Sequence, residues 1–311
     1  MNGRPDVVCV GILVADVIAR PVEELPPAGT LTLLEEIALR GGGCALNTAT
    51  VLVRLGLRAA VLGKVGDDAF GDFVLRLLGE RGVEGVGVIR DGAAPTSSTV
   101  VLVDGRGERT FLHLPGANGA LRAAELDPEL VFAGRALHVA GALVMPMLDG
   151  EPTAALLASA RERGIFTSLD TVWDASGRWE RVLPVLPHLE LFTGSLAEAR
   201  AISGEDGPET AAAWLRNRGA RRVALKLGAE GCYLAEEGLA EHVPTPQVTA
   251  VDGTGAGDAF AAGLLYGLLA GWPLARAAKL ANAAGALATT VVGASEGVRG
   301  LEETMHLAGL A

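Results

Sequence analysis

The sequence predicts a three-layer α/β/α domain with a mostly parallel central sheet and a small antiparallel β-sheet that forms a lid. Short runs rich in β-branched and apolar residues alternate along the chain with segments whose apolar residues recur every three or four positions. Such near-continuous apolar strands, separated by amphipathic helices, are typical of a parallel sheet covered on both faces. Half of the 311 residues are apolar, which is enough for one large core.

The elements of the main layers follow from this alternation in order. Strands are predicted at 7–14, 59–65, 136–141, 165–170, 189–193 and 221–228, and helices at 45–55, 70–80, 152–163 and 209–218. A further apolar run extends from Ala259 to Ala275. It is short and rich in glycine for a membrane span, so it predicts a buried helix.

Two segments interrupt the alternation and predict the lid. Residues 30–39 place leucine and isoleucine at alternate positions, as in a half-exposed strand. Residues 97–103 and 108–114 flank Asp104-Gly-Arg-Gly107, a sequence typical of a hairpin turn. We therefore expect a single domain over 1–311, with a lid built from about 15–39 and 96–115 beside a ligand crevice.

Charge and cysteine usage limit the functional classes. The net charge of −11 argues against nucleic acid or an anionic membrane as a partner, because both require a basic surface. The three cysteines, Cys9, Cys44 and Cys232, have no CxxC spacing, which argues against a disulfide framework or a zinc site. No signal-peptide pattern is evident at residues 1–16. We expect a cytoplasmic protein without nucleic-acid or membrane partners.

The stretch VDGTGAGDAF (251–260) is the strongest candidate for chemistry. Its glycines allow the backbone to approach a ligand closely, and a helix follows them directly. The free N–H groups at a helix N-terminus favour an anion such as a phosphoryl group. Asp258, in the first turn, is placed to accept a proton from a substrate hydroxyl. The alternative is an ordinary glycine turn with Asp258 as a capping residue, which the density of glycines makes the weaker hypothesis.

Three further stretches carry candidate binding residues. Gly41 to Gly43 permit close approach to a ligand, and Asn47 can donate to and accept from a hydroxyl, although a surface helix N-terminus fits equally well. Asp16 follows the first strand, at the edge where α/β proteins bind ligands, or is a solvated loop acid. Residues 226–231 form either a nucleotide-contacting loop or a hairpin, and residues 195–198 form either a capping box or part of a magnesium site.

The order of these motifs resembles the PfkB (ribokinase-like) family of carbohydrate kinases. The resemblance covers nearly the whole chain. It rests on Asp16, Gly42-Gly43 with Asn47, GKVGDDAFG (63–71), GERTF (107–111) with PGAN (115–118), SLAEARAISG (195–204), KLGAEG (226–231), DGTGAGDAFAAG (252–263) and ANAAGAL (281–287). The glycine-rich stretch at 252–263 is the most specific of them.

The resemblance implies roles for particular residues. Asp258 would be the catalytic base, and Gly255, Ala256 and Gly257 the anion hole. Asp16, Gly42, Gly43 and Asn47 would bind the sugar, and Ser195, Lys226, Gly228, Gly231 and Asn282 would lie along the ATP site. Glu198 would reach Mg²⁺ through water, and Asp252 and Ser295 would lie where many members of the family bind a monovalent cation such as potassium.

The expected function is therefore ATP-dependent phosphorylation of a primary hydroxyl on a small sugar, with Mg²⁺ and with potassium as an optional activator. A homodimer through the lid is a further expectation. A nucleoside kinase of the same fold and a non-catalytic sugar or nucleotide sensor are the alternatives. Three departures stand out: Ser195 replaces the family's asparagine, Gly253 replaces a hydroxyl residue, and 138–146 lacks an acid found in ribokinases, which argues against ribose.

Overall fold

The computed structural model describes residues 4–106 and 108–311. The strands in these ranges are β1 (Val7–Gly11), β2 (Val14–Arg20), β3 (Glu36–Gly42), β4 (Ala59–Gly66), β5 (Glu84–Asp91), β6 (Ser98–Val103), β7 (Arg109–Leu114), β8 (Ala136–Ala142), β9 (Phe166–Thr171), β10 (Leu191–Ser195), β11 (Val223–Lys226), β12 (Cys232–Glu236) and β13 (Leu239–Val243). The helices are α1 (Cys44–Arg54), α2 (Ala69–Glu80), α3 (Gly116–Ala120), α4 (Pro128–Val131), α5 (Glu151–Glu162), α6 (Leu196–Ser203), α7 (Pro208–Asn217), α8 (Ala256–Leu269), α9 (Leu274–Ala288) and α10 (Leu301–Leu307).

The main sheet has the strand order β13-β12-β11-β10-β9-β8-β1-β4-β5. Every neighbouring pair from β11 to β5 is parallel, whereas β12 pairs antiparallel with both β11 and β13. All residues of β1, β4 and β8 are buried. Burial on both faces explains why these strands read as near-continuous apolar runs. The predicted mostly parallel sheet is confirmed.

The core lies in two layers, one on each face of the main sheet. Val8 and Val10 of β1 pack on one face in the cluster that contains Leu157 of α5 and Leu215 of α7. Val7 and Cys9 point the other way, into the cluster that contains residues of α1, α8 and α9. This alternation along β1 follows from the two-residue period of a strand. The three-layer α/β/α architecture is therefore confirmed.

The small sheet has the order β3-β2-β6-β7. Its two outer pairs are antiparallel, as predicted, but its central pair, β2 with β6, is parallel. The chain leaves the main sheet twice, once to form the pair β2–β3 and once to form the pair β6–β7. The two pairs lie side by side, and their inner strands, β2 and β6, run parallel. Gly107 of the predicted hairpin turn and residues 1–3 of the predicted N-terminus lie outside the described residues.

Several boundaries differ from the sequence prediction. The predicted strand at 7–14 is two strands, because the chain leaves the main sheet after Gly11 and enters the small sheet at Val14. The alternation at 30–39 predicts a strand too early: β3 starts at Glu36, and Leu31 and Leu33 lie in an irregular segment with exposures of 80% and 88%. The edge strands β5 and β13 were not predicted, since half-buried edge strands lack a continuous apolar run. The buried strand β12, which is only five residues long, was not predicted either.

Candidate active site

The glycine-rich stretch forms the N-terminus of α8, as the sequence predicts. Gly255 caps the helix with φ of +74°, and a Cβ added there would overlap the carbonyl oxygen of Ala294. Glycine is therefore required both for the left-handed backbone and for the close packing. A Cβ added to Gly257 would lie 3.0 Å from Nζ of Lys226. The N–H groups of the first turn and the Lys226 ammonium thus lie together at the N-terminus of α8, and both favour the binding of an anion there.

Asp258 lies in the first turn of α8 with only 7% of its surface exposed. Asn47 Nδ2 donates a hydrogen bond of 2.8 Å to its Oδ2 atom. The pKa of Asp258 is raised to about 6, mainly by burial and to a smaller extent by the nearby Asp170 charge, whereas hydrogen bonds from Asn47 and Cys44 and the Lys226 charge act to lower it. A buried carboxylate with such a pKa is ionised at neutral pH and can accept a proton.

Asp170, at the C-terminal end of β9, organises the lysine. Lys226 Nζ donates to its Oδ1 atom at 2.6 Å, and the Thr193 hydroxyl donates to the same atom at 2.7 Å. Asp170 is only 2% exposed, so the pair orients the ammonium group beside Gly257. Asp170 was not predicted as a site residue from the sequence. It is the last residue of a predicted strand, and the argument made for Asp16 applies to it as well.

Asp16 lies within β2 of the small sheet, not in a loop after the first strand. A Cβ added to Gly42 would overlap its Oδ2 atom, so Gly42 makes room for this carboxylate. Burial raises the pKa of Asp16 to about 6, although the Thr99 hydroxyl lowers it by hydrogen bonding. Gly43 caps α1 with φ of +94°. The four residues that were predicted to bind the sugar thus lie together around the N-terminus of α1: Asp16, Gly42, Gly43 and Asn47.

Two cavities flank the glycine loop. One, of about 360 Å³, lies between the turn after β11 and the helices α8 and α9, and is lined by Lys226, Gly228, Gly231, Gly257 and Asn282. The side-chain amide of Asn282 itself donates to the carbonyl of Val243 at 2.9 Å and so supports this wall. Residues 226–231 therefore form the predicted hairpin turn, between the antiparallel strands β11 and β12, and this turn lines a cavity.

The second cavity, of about 290 Å³, lies between the small sheet and residues 251–254 and 292–294. Asp16 and Gly41 line it, whereas Gly42, Gly43, Asn47 and Asp258 are not among its lining residues. Gly253 faces the first cavity and Thr254 the second. The glycine loop is therefore the partition between two cavities of the size that small ligands occupy.

Ser195 and Glu198 form the predicted capping box at the start of α6. Glu198 N donates to Ser195 Oγ at 3.2 Å, and Ser195 N donates to Glu198 Oε2 at 2.9 Å. The Thr171 hydroxyl donates to the same carboxylate oxygen at 2.8 Å. No cluster of three or more metal-ligating side chains occurs in the described ranges. One carboxylate fits Mg²⁺, which prefers phosphate and water as its other ligands.

The two predicted ligands of a monovalent cation are both in contact with arginines. Arg109 of β7 forms an ion pair of 2.6 Å with Asp252 Oδ1, and Arg54 donates to the backbone oxygen of Ser295. Burial on its own would raise the pKa of Asp252. Hydrogen bonds from Thr254 and Gly293, together with the Arg109 charge, hold this pKa below its usual value.

A three-layer α/β fold, two cavities on either side of a helix N-terminus, and a buried carboxylate beside a lysine are typical of phosphotransferases, which transfer a phosphoryl group from one small molecule to another. The model of the pfkB family of carbohydrate kinases matches residues 4–299. The chain belongs to this family, which confirms the resemblance and shows that the protein is a carbohydrate kinase.

Individual relatives agree with this assignment. The chain is 36% identical to a fructokinase of Klebsiella pneumoniae, over 89% of this chain and 94% of the relative. It is 31% identical to a 2-dehydro-3-deoxygluconokinase of Bacillus subtilis, over 82% of each. The solved structure of a Thermotoga maritima ribokinase superposes with a TM-score of 0.84 at 25% identity, over 98% of this chain and 99% of that one.

Two further findings bear on the environment of the protein. All three cysteines are buried and free of disulfides. Within the described ranges, none of the helices combines the length and the apolar character that crossing a bilayer requires.

Proposed function

We propose that the protein transfers the γ-phosphoryl group of Mg·ATP to a primary hydroxyl of a small, uncharged sugar. The observation that carries this proposal is the pair of cavities on either side of the glycine loop. ATP would occupy the cavity lined by Gly228, Gly231 and Asn282, and the sugar the cavity lined by Asp16. The two ligands would then meet at the N-terminus of α8.

The residues at and beside the glycine loop have different roles in the proposed reaction. The Asp258 carboxylate accepts the hydroxyl proton as the sugar oxygen forms its bond to the γ-phosphorus and the bond to the ADP oxygen breaks. The amides of Gly255, Ala256 and Gly257 and the Lys226 ammonium stabilise the negative charge on the transferred group. Mg²⁺ would lie on the phosphates near Glu198. The small sheet covers the acceptor and excludes water.

The acceptor cavity favours an uncharged sugar over a sugar acid. Its charged lining residues are three carboxylates and three guanidinium groups, so their formal charges cancel: Asp16, Glu36, Asp252, Arg20, Arg40 and Arg109. Relatives of the chain include both a fructokinase and a 2-dehydro-3-deoxygluconokinase. The cancelled charge supports a neutral ketohexose such as fructose as the first substrate to test.

The alternatives have less support. A nucleoside kinase needs aromatic surface to stack on a base, and Phe111 is the one aromatic side chain among the described residues that line the acceptor cavity. A non-catalytic sensor would not need an ionised base hydrogen-bonded in place, yet Asp258 is held by Asn47 at 2.8 Å.

The test is a substrate panel. Aldoses, ketoses, sugar acids and nucleosides are each incubated with Mg·ATP, and ADP formation is measured with and without EDTA. We expect ADP formation with a neutral sugar and its loss in EDTA. Turnover with nucleosides alone would support the nucleoside kinase instead, and binding of a sugar without any ADP formation would support the sensor.

We also propose a homodimer formed through the small sheet. Alternate residues of its strands line the acceptor cavity, so the intervening residues form an outer face. Ile37, Val100, Leu112 and Leu114 on this outer face are 70%, 38%, 56% and 46% exposed. An exposed apolar patch of this kind is typical of a protein interface.

The cytoplasm is the proposed location, because three buried thiols without a disulfide suit a reducing compartment.

A further inference from the structure

Arg109 links the small sheet to the glycine loop across the acceptor cavity. Its guanidinium forms the 2.6 Å ion pair with Asp252 Oδ1 and also donates to the hydroxyl of Thr254. The Arg109 side chain is 22% exposed and that of Asp252 only 7%. Arg109 therefore brings a positive charge from a separate sheet to a nearly buried carboxylate.

Asp252 in turn joins two loops at the base of the catalytic helix. Its Oδ1 atom accepts a hydrogen bond from Thr254 N at 2.7 Å, and its Oδ2 atom accepts one from Gly293 N at 3.1 Å. Thr254 directly precedes Gly255, the cap of α8. The orientation of the Asp252 carboxylate thus affects the backbone that leads into the anion hole.

Ser295, the second predicted cation ligand, is also in contact with an arginine. Arg54 donates to the backbone oxygen of Ser295 and, at 3.1 Å, to that of Val298. A potassium ion needs several free oxygen ligands and would be repelled by a guanidinium group in contact with one of them. The residues present at Asp252 and Ser295 therefore do not fit a monovalent cation.

We propose that Arg109 takes the place of a monovalent cation at Asp252, as a positioning residue that orders the glycine loop when the small sheet closes. This inference rests on the proposed kinase function. It implies that catalysis does not depend on potassium. It also implies that loop order depends on the lid, because the charge that stabilises Asp252 arrives with β7.

The test compares Arg109→Ala with Arg106→Ala. Arg106 belongs to the same hairpin, but its side chain is 83% exposed and pairs with Asp104, away from the loop. Activity with the accepted sugar is measured in potassium chloride and in tetramethylammonium chloride at equal ionic strength. We expect wild type and Arg106→Ala to give equal rates in the two salts.

For Arg109→Ala we expect kcat/KM to fall about 100-fold in tetramethylammonium, as when catalytic groups are misplaced by about 1 Å. Potassium should restore part of this loss, because removal of the guanidinium frees both Asp252 Oδ1 and the Thr254 hydroxyl as oxygen ligands for the ion. Arg109→Lys, which keeps a positive charge, should remain independent of potassium.

Three results would overturn the inference: activation of the wild type by potassium, an Arg109→Ala enzyme that behaves like Arg106→Ala, or a folded Arg109→Ala enzyme impaired equally in both salts. The thermal unfolding midpoint gives a second readout. It should rise in potassium only for Arg109→Ala, even if the wild type phosphorylates no sugar and the proposed function fails. If Arg109→Ala does not fold, a potassium response of the wild type or of Arg109→Lys still overturns it.

Discussion

At the scale of single residues, the chemistry depends on how two carboxylates are kept ionised in a nearly buried site. Asp258 and Asp16 both have a pKa raised by burial to about 6. Asn47 lowers the pKa of Asp258 by hydrogen bonding, and Thr99 does the same for Asp16. These neutral donors keep both carboxylates charged at neutral pH without a direct ion pair to either of them.

Replacing the base tests its role directly. We expect Asp258→Asn to lower kcat by about 10²- to 10⁴-fold, the usual contribution of a general base, while ATP binding measured by calorimetry is retained. Asp127→Asn is the matched control, because Asp127 is exposed and lines neither cavity. Near-normal turnover of Asp258→Asn would show that another group accepts the proton.

The pH dependence follows from the same pKa values. The carboxylate form of Asp258 is the active one, so kcat/KM should be constant above about pH 7 and fall as the pH drops through about 6. Asn47→Ala removes a hydrogen bond that lowers this pKa. The acidic limb should therefore move to higher pH in Asn47→Ala, whereas the exposed control Asn217→Ala should leave it in place. An unmoved limb in both variants would contradict the assignment.

The sequence predicted the glycine loop and its base because both belong to one contiguous motif. Asp170 and Arg109 have no such local pattern. Asp170 acts through Lys226, 56 positions away, and Arg109 through Thr254, 145 positions away. Only the folded chain brings such pairs together. Asn47 was predicted to bind sugar, but its contact with Asp258 spans 211 positions and was not predicted.

At the scale of elements, the capping box of α6 stabilises a helix start that carries the proposed magnesium residue Glu198. Ser195 and Glu198 satisfy each other's backbone N–H groups, and Thr171 fixes the same carboxylate from β9. This arrangement explains how serine can replace the asparagine of the family pattern. Both residues are good helix caps, so the helix start is preserved.

Removing this cap should cost stability. We expect Ser195→Ala to lower the free energy of unfolding by about 1 kcal/mol, since Glu198 N loses its acceptor. Urea denaturation measures this loss. Ser195→Asn is the control and should unfold close to the wild-type midpoint. An unchanged Ser195→Ala would mean that Thr171 alone holds Glu198 and the helix start.

At the scale of the whole molecule, the two faces of the small sheet differ in composition and in proposed role. The cavity face carries the charged residues around the acceptor, and the outer face carries the exposed apolar side chains. The polar residues of the alternating pattern therefore face the cavity, whereas in most half-exposed sheets such residues face solvent. The sequence showed the alternation, but it could not show which face a second subunit or a ligand would cover.

Disrupting the outer face should separate the subunits of the proposed dimer. Leu112 lies on it and is 56% exposed, so Leu112→Glu should convert a dimer into a monomer in sedimentation velocity. Leu25→Glu is the control, because Leu25 is 70% exposed but lies outside the four strands of the small sheet. A wild-type protein that sediments as a monomer at all concentrations would exclude this dimer.

The alternation along the strands of the small sheet also separates the residues that would set acceptor specificity from those that would set the oligomeric state. Ile18, Ala38, Val101 and Phe111 line the acceptor cavity, and each has its chain neighbours on the opposite face. Random substitution at these four positions would sample acceptor specificity in a directed-evolution library while the outer face keeps its composition. A lineage could thus exchange one sugar for another without altering its quaternary structure.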